Sequence, residues 1–291
     1  MGKTGDFTSE SRRTAYFAAY RSAMAEGPPP AAVHDVETSF GTTRVYRHGN
    51  DGPPIVLLHG LLAGAPMWAP FWAPLSAGHT VYTIDILGEG GHSVQTGPMT
   101  EHADRARCLD EVLEAMRLTG VHLVGASSGG WHAVNYATRY RERLATVTLL
   151  DPTTVTANFS FGALRYGVLL KLFPFDWMWR RFFRWAAGTD ISGDPAVRLA
   201  RAATGAYRPA ILFQTCPSEA DLRAMDVPTL VVLSGRSVVH DSALAAERAR
   251  AWLPQSEVEA WPELGHYFSP ADCRRAADRL LHFIAARLPQ A

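Results

Sequence analysis

The sequence predicts an α/β fold with a mostly parallel, doubly wound sheet and a helical cap inserted after the sixth strand. Three observations lead to this prediction. Short continuous apolar runs recur along the chain, helical stretches separate them, and one long aromatic-rich segment interrupts the alternation. Continuous apolar runs are typical of strands buried on both faces, and a regular strand–helix alternation indicates parallel strands.

The composition agrees with a globular protein. The 291 residues are 47% hydrophobic and 19% charged, which is enough apolar material for a sizeable core. Lys plus Arg and Asp plus Glu each total 28, so no overall positive field attracts nucleic acid. We therefore expect a local functional site for a small molecule and no nucleic-acid partner.

The cysteines and the start of the chain predict a cytoplasmic location. The chain has an odd number of cysteines, Cys108, Cys216 and Cys273. They lie far apart and lack the spacings typical of disulfides or metal sites. The residues after Met1 contain no apolar stretch like that of a secretory signal. Prolines interrupt the uncharged stretch 52–84, so we expect no membrane-spanning helix there.

Residues 1–35 are predicted to form an N-terminal helix and a proline-rich linker. Thr8 can cap the helix, and the run Gly27-Pro-Pro-Pro ends it. The aromatic stripe of Tyr16, Phe17 and Tyr20 lies between these two signals. We expect this helix to pack on the surface as an accessory element.

The core is predicted to comprise residues 36–151 and 226–291. Its strands are expected at 36–40, 43–46, 54–58, 81–86, 121–124, 147–150 and 229–233, with helices such as 101–116 and 131–140 between them. The first two strands are short and meet at Gly41. The later strands are continuous apolar runs, which indicates a sheet covered on both faces.

Residues 152–225 are predicted to form the helical cap. Between Phe159 and Trp185 lie ten of the 30 aromatic residues of the chain, accompanied by several arginines. Ligands of open α/β sheets bind beyond the carboxyl ends of the strands, where an insertion after Asp151 would lie. The aromatic residues could therefore line an apolar pocket, pack as ordinary helical core, or form a helix that lies on a membrane surface.

The clearest chemical motif is Gly125-Ala-Ser127-Ser-Gly129. It follows a predicted buried strand and opens a predicted helix, a context in which the central serine is exposed on a sharp turn. The glycines leave room for that turn and for close packing of the helix. Ser128 is a rival hydroxyl without the symmetric glycine spacing, and an ordinary tight turn is the non-functional alternative.

With this motif in place, the sequence resembles the α/β-hydrolase superfamily from about Val36 to the C-terminus. The resemblance depends on His59-Gly60 after the third strand, Gly125-x-Ser127-x-Gly129 after the fifth, and Gly265-His266 after the last. The segment from Asp85 to Ser93 also looks like the loop that follows the fourth strand in this family. The resemblance implies the fold already predicted from the apolar runs.

The resemblance also implies roles for individual residues. Ser127 would be the nucleophile, and His266 would be the general base that takes the hydroxyl proton. The backbone N–H groups of Leu61 and Ser128 would stabilise the developing oxyanion. His59 would shape the loop that presents Leu61.

The acid of the triad departs from the family pattern. The family usually has Asp or Glu shortly after the strand predicted at 229–233, but Ser237 and Val238 occupy that place. Some branches have the acid after the sixth strand, where this chain has Asp151, our first choice. Asp241 is the second candidate, although it could simply cap the next helix, and a Ser–His dyad with Ser237 orienting His266 is the third possibility.

These residues predict a serine hydrolase that cleaves an ester, lactone or thioester of an apolar small molecule through an acyl-enzyme. Trp68 and Trp131 are candidate walls of the substrate pocket, and no metal or organic cofactor is expected. An acyltransferase or cyclase would use the same Ser–His pair. The missing carboxylate after strand 229–233 also leaves open a binding protein that has lost its catalytic function.

Overall fold

The computed structural model describes residues 4–173, 175–210 and 212–287. In chain order, the strands are β1 (Asp6–Phe7), β2 (Ala32–Thr38), β3 (Gly41–His48), β4 (Pro54–Leu58), β5 (Thr80–Ile84), β6 (Val94–Gln95), β7 (Val121–Ala126), β8 (Leu144–Leu150), β9 (Tyr207–Arg208), β10 (Thr229–Ser234) and β11 (Ser256–Trp261). The main helices are α1 (Glu10–Met24), α2 (Ala69–Ser76), α3 (His102–Ala115), α4 (Ser128–Ala137), α5 (Phe161–Leu172), α6 (Asp176–Ala187), α7 (Pro195–Ala206), α8 (Glu219–Arg223), α9 (Ser242–Trp252) and α10 (Pro270–Ala285).

Among the described residues, the main sheet has nine strands, in the order β11-β10-β8-β7-β4-β5-β3-β2 with β6 paired to β3. The strands from β11 to β5 are parallel, whereas β2, β3 and β6 pair in antiparallel fashion at the other edge. This arrangement confirms the predicted mostly parallel, doubly wound sheet. The parallel strands direct their carboxyl ends to one edge, where the loops after β4, β7, β8 and β10 meet.

Helices cover both faces of the sheet. On one face, α3, α4 and α9 pack against apolar side chains such as Val56, Leu123 and Val231. On the other face, α2 and α10 pack against Ile55 and Val124, among others. The central strands are therefore buried on both sides, which explains their continuous apolar sequences.

The N-terminal helix is less peripheral than the sequence predicts. Its N-cap is Ser9 rather than Thr8, and Tyr16 and Tyr20 on its inner face are buried. The Tyr20 hydroxyl donates to Asp85 Oδ2 at 2.9 Å, and the Tyr16 hydroxyl accepts from the Gly91 N–H at 2.8 Å. Most other side chains of the helix are exposed, so it lies on the surface of the protein, and the loop after β5 supplies the hydrogen-bond partners that the buried tyrosine hydroxyls require.

The predicted boundaries differ in detail from the observed elements. β2 begins at Ala32, inside the segment assigned to the N-terminal linker, and β9 lies inside the predicted helical cap. β9 pairs with β1, where Phe7 faces Tyr207. A two-residue strand is too short to produce an apolar pattern, so this pair was not predicted.

The helical cap, comprising α5 to α8, follows β8, the sixth strand predicted from the sequence, as expected. Inner aromatic side chains of α5 and α6 pack on one another. Tyr166 and Trp185, for example, have ring centroids 4.6 Å apart. These residues are core of the cap, the alternative left open by the sequence. The longest helix in the described ranges has 16 residues, and none of these helices is long and apolar enough to cross a bilayer.

Candidate active site

Ser127 occupies the sharp turn between β7 and α4. Its φ of 54° and ψ of −121° lie far from helical or extended backbone. A non-glycine residue with positive φ is strained, and such strain persists only where the surroundings hold the backbone in place. The Ser127 N–H donates to Leu150 O at 3.0 Å, and its carbonyl accepts from the N–H groups of Gly130 and Thr153.

Each of the three glycines around Ser127 is required for a different steric reason. A Cβ at Gly125 would collide with the carbonyl of Gly129, and a Cβ at Gly129 would collide with the carbonyl of Leu58. A Cβ at Gly130 would lie 2.6 Å from the Cβ of Pro152. The motif thus allows α4 to start directly against the ends of β4 and β8, with the serine side chain at the sheet edge.

Ser127, His266 and Asp151 form a continuous hydrogen-bonded chain. Ser127 Oγ lies 3.0 Å from His266 Nε2, and His266 Nδ1 lies 2.6 Å from Asp151 Oδ2. A carboxylate accepts only, so Nδ1 carries the proton and Nε2 is free to accept from the serine hydroxyl. The sequence assigned these three residues to one site, and the structure brings them together.

The carboxylate of Asp151 is almost fully buried and has four donors. Oδ1 accepts from the Ser234 N–H (3.0 Å) and from His240 Nε2 (3.1 Å), while Oδ2 accepts from the Ser237 hydroxyl (2.7 Å) and from His266. Burial by itself raises the pKa of the carboxyl group. The hydrogen bonds from His240 and His266 outweigh that effect and hold the pKa of Asp151 well below its ordinary value.

The other candidates for the acid have different positions. Asp241 is the N-cap of α9, where its Oδ1 accepts from the Leu244 N–H at 3.0 Å. Ser237 donates to Asp151 and not to His266. Of the two carboxylates that the sequence suggested, only Asp151 contacts His266.

His240 is the residue of this site that the sequence analysis missed. Its Nε2 donates to Asp151, and its Nδ1 is buried without a hydrogen-bond partner within the described ranges. Because a carboxylate only accepts, the proton of this hydrogen bond belongs to His240 Nε2. The sequence places His240 in the loop after a buried strand, but only the folded loop brings its ring to the acid.

The loop after β4 brings backbone N–H groups close to Ser127. A Cβ at Gly60 would lie 3.4 Å from Ser127 Cβ, so the next peptide passes directly beside the serine. His59 Nε2 accepts from the Ile86 N–H at 3.0 Å, so its Nδ1–H donates to the Gly60 carbonyl at 2.7 Å. In a trans peptide the N–H points away from the carbonyl, so His59 fixes the direction of the Leu61 N–H.

The N–H of Ser128, at the first position of α4, is the second expected donor. In the part of the chain that the structure describes, neither this N–H nor that of Leu61 donates to another protein group. Free N–H groups at a helix N-terminus attract negative charge. Both groups are therefore available to a ligand beside the serine hydroxyl.

The two tryptophans predicted as pocket walls have different environments. Trp68 is 0% exposed and packs edge-on against Phe71 in the core beneath the sheet, so it is not part of an open pocket wall. Trp131, one helical turn after Ser127, donates its Nε1–H to Thr215 O at 2.9 Å. It borders a small cavity that is also lined by Glu89, Arg105 and other polar side chains.

Two of the residues that line this cavity, His132 and Glu89, form a buried hydrogen bond. His132 Nε2 lies 2.9 Å from Glu89 Oε1. Burial raises the pKa of Glu89, but the hydrogen bond from His132 outweighs that effect and the nearby positive charge of Arg105 adds to it, so the pKa falls to about 2. Burial lowers the pKa of His132, so a neutral imidazole donates to an ionised carboxylate. Within residues 4–173, 175–210 and 212–287, no cluster of three metal-ligating side chains occurs.

Comparison with known proteins agrees with this architecture. Residues 53–204 match the family model described as alpha/beta hydrolase fold. An uncharacterized carboxylesterase, nap, of Bacillus subtilis strain 168 is 28% identical over 280 residues, covering 93% of this chain and 92% of the relative. Carboxylesterase YbfK of the same organism is 25% identical over 278 residues, with coverages of 92% and 93%.

Solved structures give the same result. A putative hydrolase from Bacillus subtilis has a TM-score of 0.88 at 25% identity and covers 95% of this chain and 100% of its own. The naproxen esterase of Bacillus subtilis has a TM-score of 0.88 at 24% identity, with coverages of 95% and 99%, and shares the fold. The family match spans more than half of the chain. The chain therefore belongs to the α/β-hydrolase family, and it is a hydrolase enzyme.

Proposed function

We propose that this enzyme hydrolyses carboxylic esters through an acyl-enzyme intermediate, with Ser127 as nucleophile, His266 as general base and Asp151 as the acid of the triad. The observation that carries the proposal is the hydrogen-bonded chain from Ser127 Oγ through both ring nitrogens of His266 to Asp151. The carboxylesterase names of two relatives that match over nearly the whole chain support the same reaction.

The proposed reaction uses each member of the chain in turn. Ser127 Oγ attacks the ester carbonyl carbon while His266 Nε2 takes its proton, and the protonated imidazole then gives that proton to the leaving alcohol. A water molecule, deprotonated by the same nitrogen, releases the acid from Ser127. Asp151 stabilises the imidazolium at Nδ1, and its lowered pKa keeps it ionised over the neutral pH range.

Two backbone groups would stabilise the oxyanion. The Leu61 N–H, directed by the hydrogen bond from His59 to the Gly60 carbonyl, and the Ser128 N–H at the start of α4 are the proposed donors. Removal of one such donor typically slows catalysis by about 10²–10³-fold. Both are backbone groups, so the side chain at these positions can vary without loss of the donors.

The proposed substrate has an apolar acyl group. Leu61 is half-exposed beside the serine, and the Met67 sulfur lies against Gly60 on the same loop. Apolar side chains next to the nucleophile favour an aliphatic or aromatic acyl chain over a charged one.

Two alternatives use the same fold. An acyltransferase or cyclase would retain Ser127 and His266 but replace water by another nucleophile. A binding protein that has lost its catalytic function would not need the hydrogen-bonded chain to Asp151. No carboxylate follows β10 at the position where the family usually has its acid. Asp151, after the neighbouring strand β8, contacts His266 instead, and this contact favours a catalytic protein over a binding protein.

A reducing, cytoplasmic location is part of the proposal. Cys108, Cys216 and Cys273 are free thiols. Burial is the main cause that raises the pKa of Cys108 to about 11 and that of Cys273 to about 12. These two thiols are therefore protonated at neutral pH and are poor competitors to Ser127 as nucleophiles.

A fluorophosphonate probe should label Ser127. The reagent reports on an activated serine without knowledge of the substrate, and mass spectrometry locates the adduct. Ser127→Ala should abolish labelling and lower esterase activity by several orders of magnitude. Ser128→Ala is the matched control, because the neighbouring hydroxyl is buried without a partner in the described ranges and its backbone N–H is retained. An adduct on Ser128, or none on folded protein, would contradict the proposal.

Replacing each carboxylate in turn should show whether Asp151 or Asp241 is the acid of the triad. Asp151→Asn should reduce kcat by about 10³–10⁴, the scale seen when a triad acid is neutralised. Asp241→Asn should leave kcat within about twofold, because Asn caps a helix as well as Asp does. Circular dichroism and thermal unfolding establish that both variants fold. If both retain activity within about tenfold of the parent, the Ser–His pair acts as a dyad and the assignment of Asp151 is wrong.

His240 should act as a positioning residue for Asp151. His240→Leu removes a buried donor to a charged group, a loss of about 1.5–3 kcal/mol, so kcat should fall roughly 10–100-fold with little change in KM. In His240→Gln, the side-chain amide can place an N–H near the position of Nε2, and most of kcat should return. Equal losses in both variants, with parallel losses of thermal stability, would indicate a packing role instead.

A p-nitrophenyl ester series should show a preference for longer acyl chains over acetate. Each buried CH₂ contributes about 0.8 kcal/mol, so kcat/KM should rise up to about fourfold per carbon until the pocket is filled. Leu61→Ala keeps the proposed N–H donor but removes apolar surface, so it should flatten the series without slowing acetate hydrolysis. A series that is flat or falling in the parent enzyme would refute an apolar acyl site.

A further inference from the structure

The small cavity beside Trp131 has a buried carboxylate on its wall with one oxygen that lacks a donor. Glu89 is 1% exposed, and its Oε1 lies 2.9 Å from His132 Nε2. Its other oxygen, Oε2, is buried without a hydrogen-bond partner in the described part of the chain. A buried charged oxygen is costly without a donor, and such atoms normally have one. A molecule bound in this cavity would supply that donor.

The wall of the cavity also carries polar groups from the cap and from α3. Gln214 lines it, and Gln214 Oε1 accepts from the hydroxyls of Thr153 and Thr154 at 3.3 and 3.4 Å. Among the described residues, the amide nitrogen of Gln214 donates to no protein group. His102 lines the cavity too, and its Nδ1 is buried without a partner within the same residues. The wall therefore offers a ligand both an acceptor and a donor.

The charges on the wall favour a neutral ligand group. Arg105 lines the same cavity, and its positive charge helps to lower the pKa of Glu89. The guanidinium donates to the carbonyls of Leu87 at 2.7 Å and Ala210 at 2.6 Å, so it is held in place by the fold. Arg105 would repel a cation in the cavity, and Glu89 would repel an anion. A hydroxyl is neutral and both donates and accepts, so it suits this wall.

The size of the cavity agrees with a hydroxyl. Its free space is enough for about one water-sized group, so a ring or a branched polar group would not fit there. Leu212 and Trp131 supply the apolar part of the wall. The indole nitrogen of Trp131 is already bonded to Thr215 O, so its ring contributes only apolar surface. An alkyl chain with a hydroxyl at its end matches this combination.

The cavity adjoins the turn that carries the nucleophile. Trp131 follows Ser127 by one turn of α4, and long side chains on a helix lean toward the preceding turn. Thr153 connects the two places as well, because its hydroxyl donates to Gln214 while its N–H donates to Ser127 O at 3.1 Å. The cavity is therefore placed to receive part of a substrate whose reacting carbonyl lies at Ser127.

We propose that this cavity is a subsite for a free hydroxyl group on the alcohol half of the ester. The hydroxyl donates to Glu89 Oε2 and accepts from the amide of Gln214. The alcohol half is chosen because the acyl group proposed above lies against Leu61 and Met67, on the loop after β4. The preferred substrates are then monoesters of a diol or polyol with an apolar acid. This inference rests on the ester hydrolysis proposed above and narrows its substrate class.

The subsite predicts a preference opposite to that of an apolar pocket. A terminal hydroxyl on an alkyl chain weakens binding to an apolar wall, because the hydroxyl loses its hydrogen bonds to water. At Glu89 the same hydroxyl gains a bond to a buried charged oxygen, and such bonds are stronger than those between neutral groups. The sign of the preference therefore distinguishes the subsite from an ordinary apolar wall.

Pairs of hexanoate esters test the subsite with the full-length enzyme. Monohexanoates of terminal diols with short, medium and long chains are compared with the alkyl hexanoates of the same lengths, and kcat/KM is measured from the release of hexanoic acid. At the chain length that reaches Glu89, the hydroxyl ester should be favoured by about tenfold or more. Shorter chains, which do not reach it, should show no such preference.

Variants of the wall assign the preference to this cavity. The readout is the ratio of the two kcat/KM values, because general damage to the fold or the triad lowers both values together. Glu89→Gln removes the charge and should reduce the ratio to about twofold or less, and Gln214→Leu should reduce it severalfold. Glu111→Gln is the matched control, since it removes a carboxylate of α3 that binds Ser39 outside the cavity. The control should keep the ratio of the parent enzyme.

Each other outcome overturns the subsite. If both esters are hydrolysed but the hydroxyl ester is favoured at no chain length, the cavity does not bind a hydroxyl, although ester hydrolysis stands. A preference that survives in Glu89→Gln and Gln214→Leu places hydroxyl recognition elsewhere. A preference seen only when the hydroxyl is on the acyl half, in methyl esters of terminal hydroxy acids, shows that the assignment to the alcohol half is wrong. If neither ester is hydrolysed and the fluorophosphonate does not label Ser127, the ester hydrolysis itself is wrong, and the subsite with it.

Discussion

The buried carboxylate of Asp151 joins loops that are distant in the sequence. Its oxygens accept hydrogen bonds from Ser234 at the end of β10, from Ser237 and His240 after it, and from His266 after β11. An isolated buried charge costs several kcal/mol, so this carboxylate is stable only while its donors remain in place. The same bonds that offset the burial also fix the ring of His266, and therefore the distance from Nε2 to Ser127.

Backbone strain at this edge of the sheet supports the same geometry. Ser127 and Asp151 both have positive φ, at 54° and 42°, at the ends of the adjacent parallel strands β7 and β8. The strain is offset by ordinary hydrogen bonds: the Ser127 N–H binds Leu150 O, and the Asp151 N–H binds Val232 O at 2.7 Å. Both strained residues contact His266 through their side chains, and such strain is typical of functional sites.

The sequence predicted those features that depend on local patterns. Continuous apolar runs identified the parallel strands, and the glycine spacing identified Ser127, because both reflect packing constraints on neighbouring residues. The pair β1–β9, the buried role of α1 and the contact of His240 with Asp151 depend on long-range contacts that leave no periodic signal. Trp68 was placed in the wrong environment, because a tryptophan suits a pocket wall and a core equally well and only the fold shows that it is buried.

The proximity of Asp151 to His266 follows from the order of the strands. β8 and β10 are parallel neighbours, with Leu150 beside Val232, so the residues just beyond both strands lie at nearly the same point of the sheet edge. A carboxylate can therefore reach His266 from either strand. In this chain the place that usually carries the acid is held by Ser237, whose hydroxyl donates to Asp151. The residue after β10 thus donates to the carboxylate, and the residue after β8 supplies the carboxylate that contacts His266.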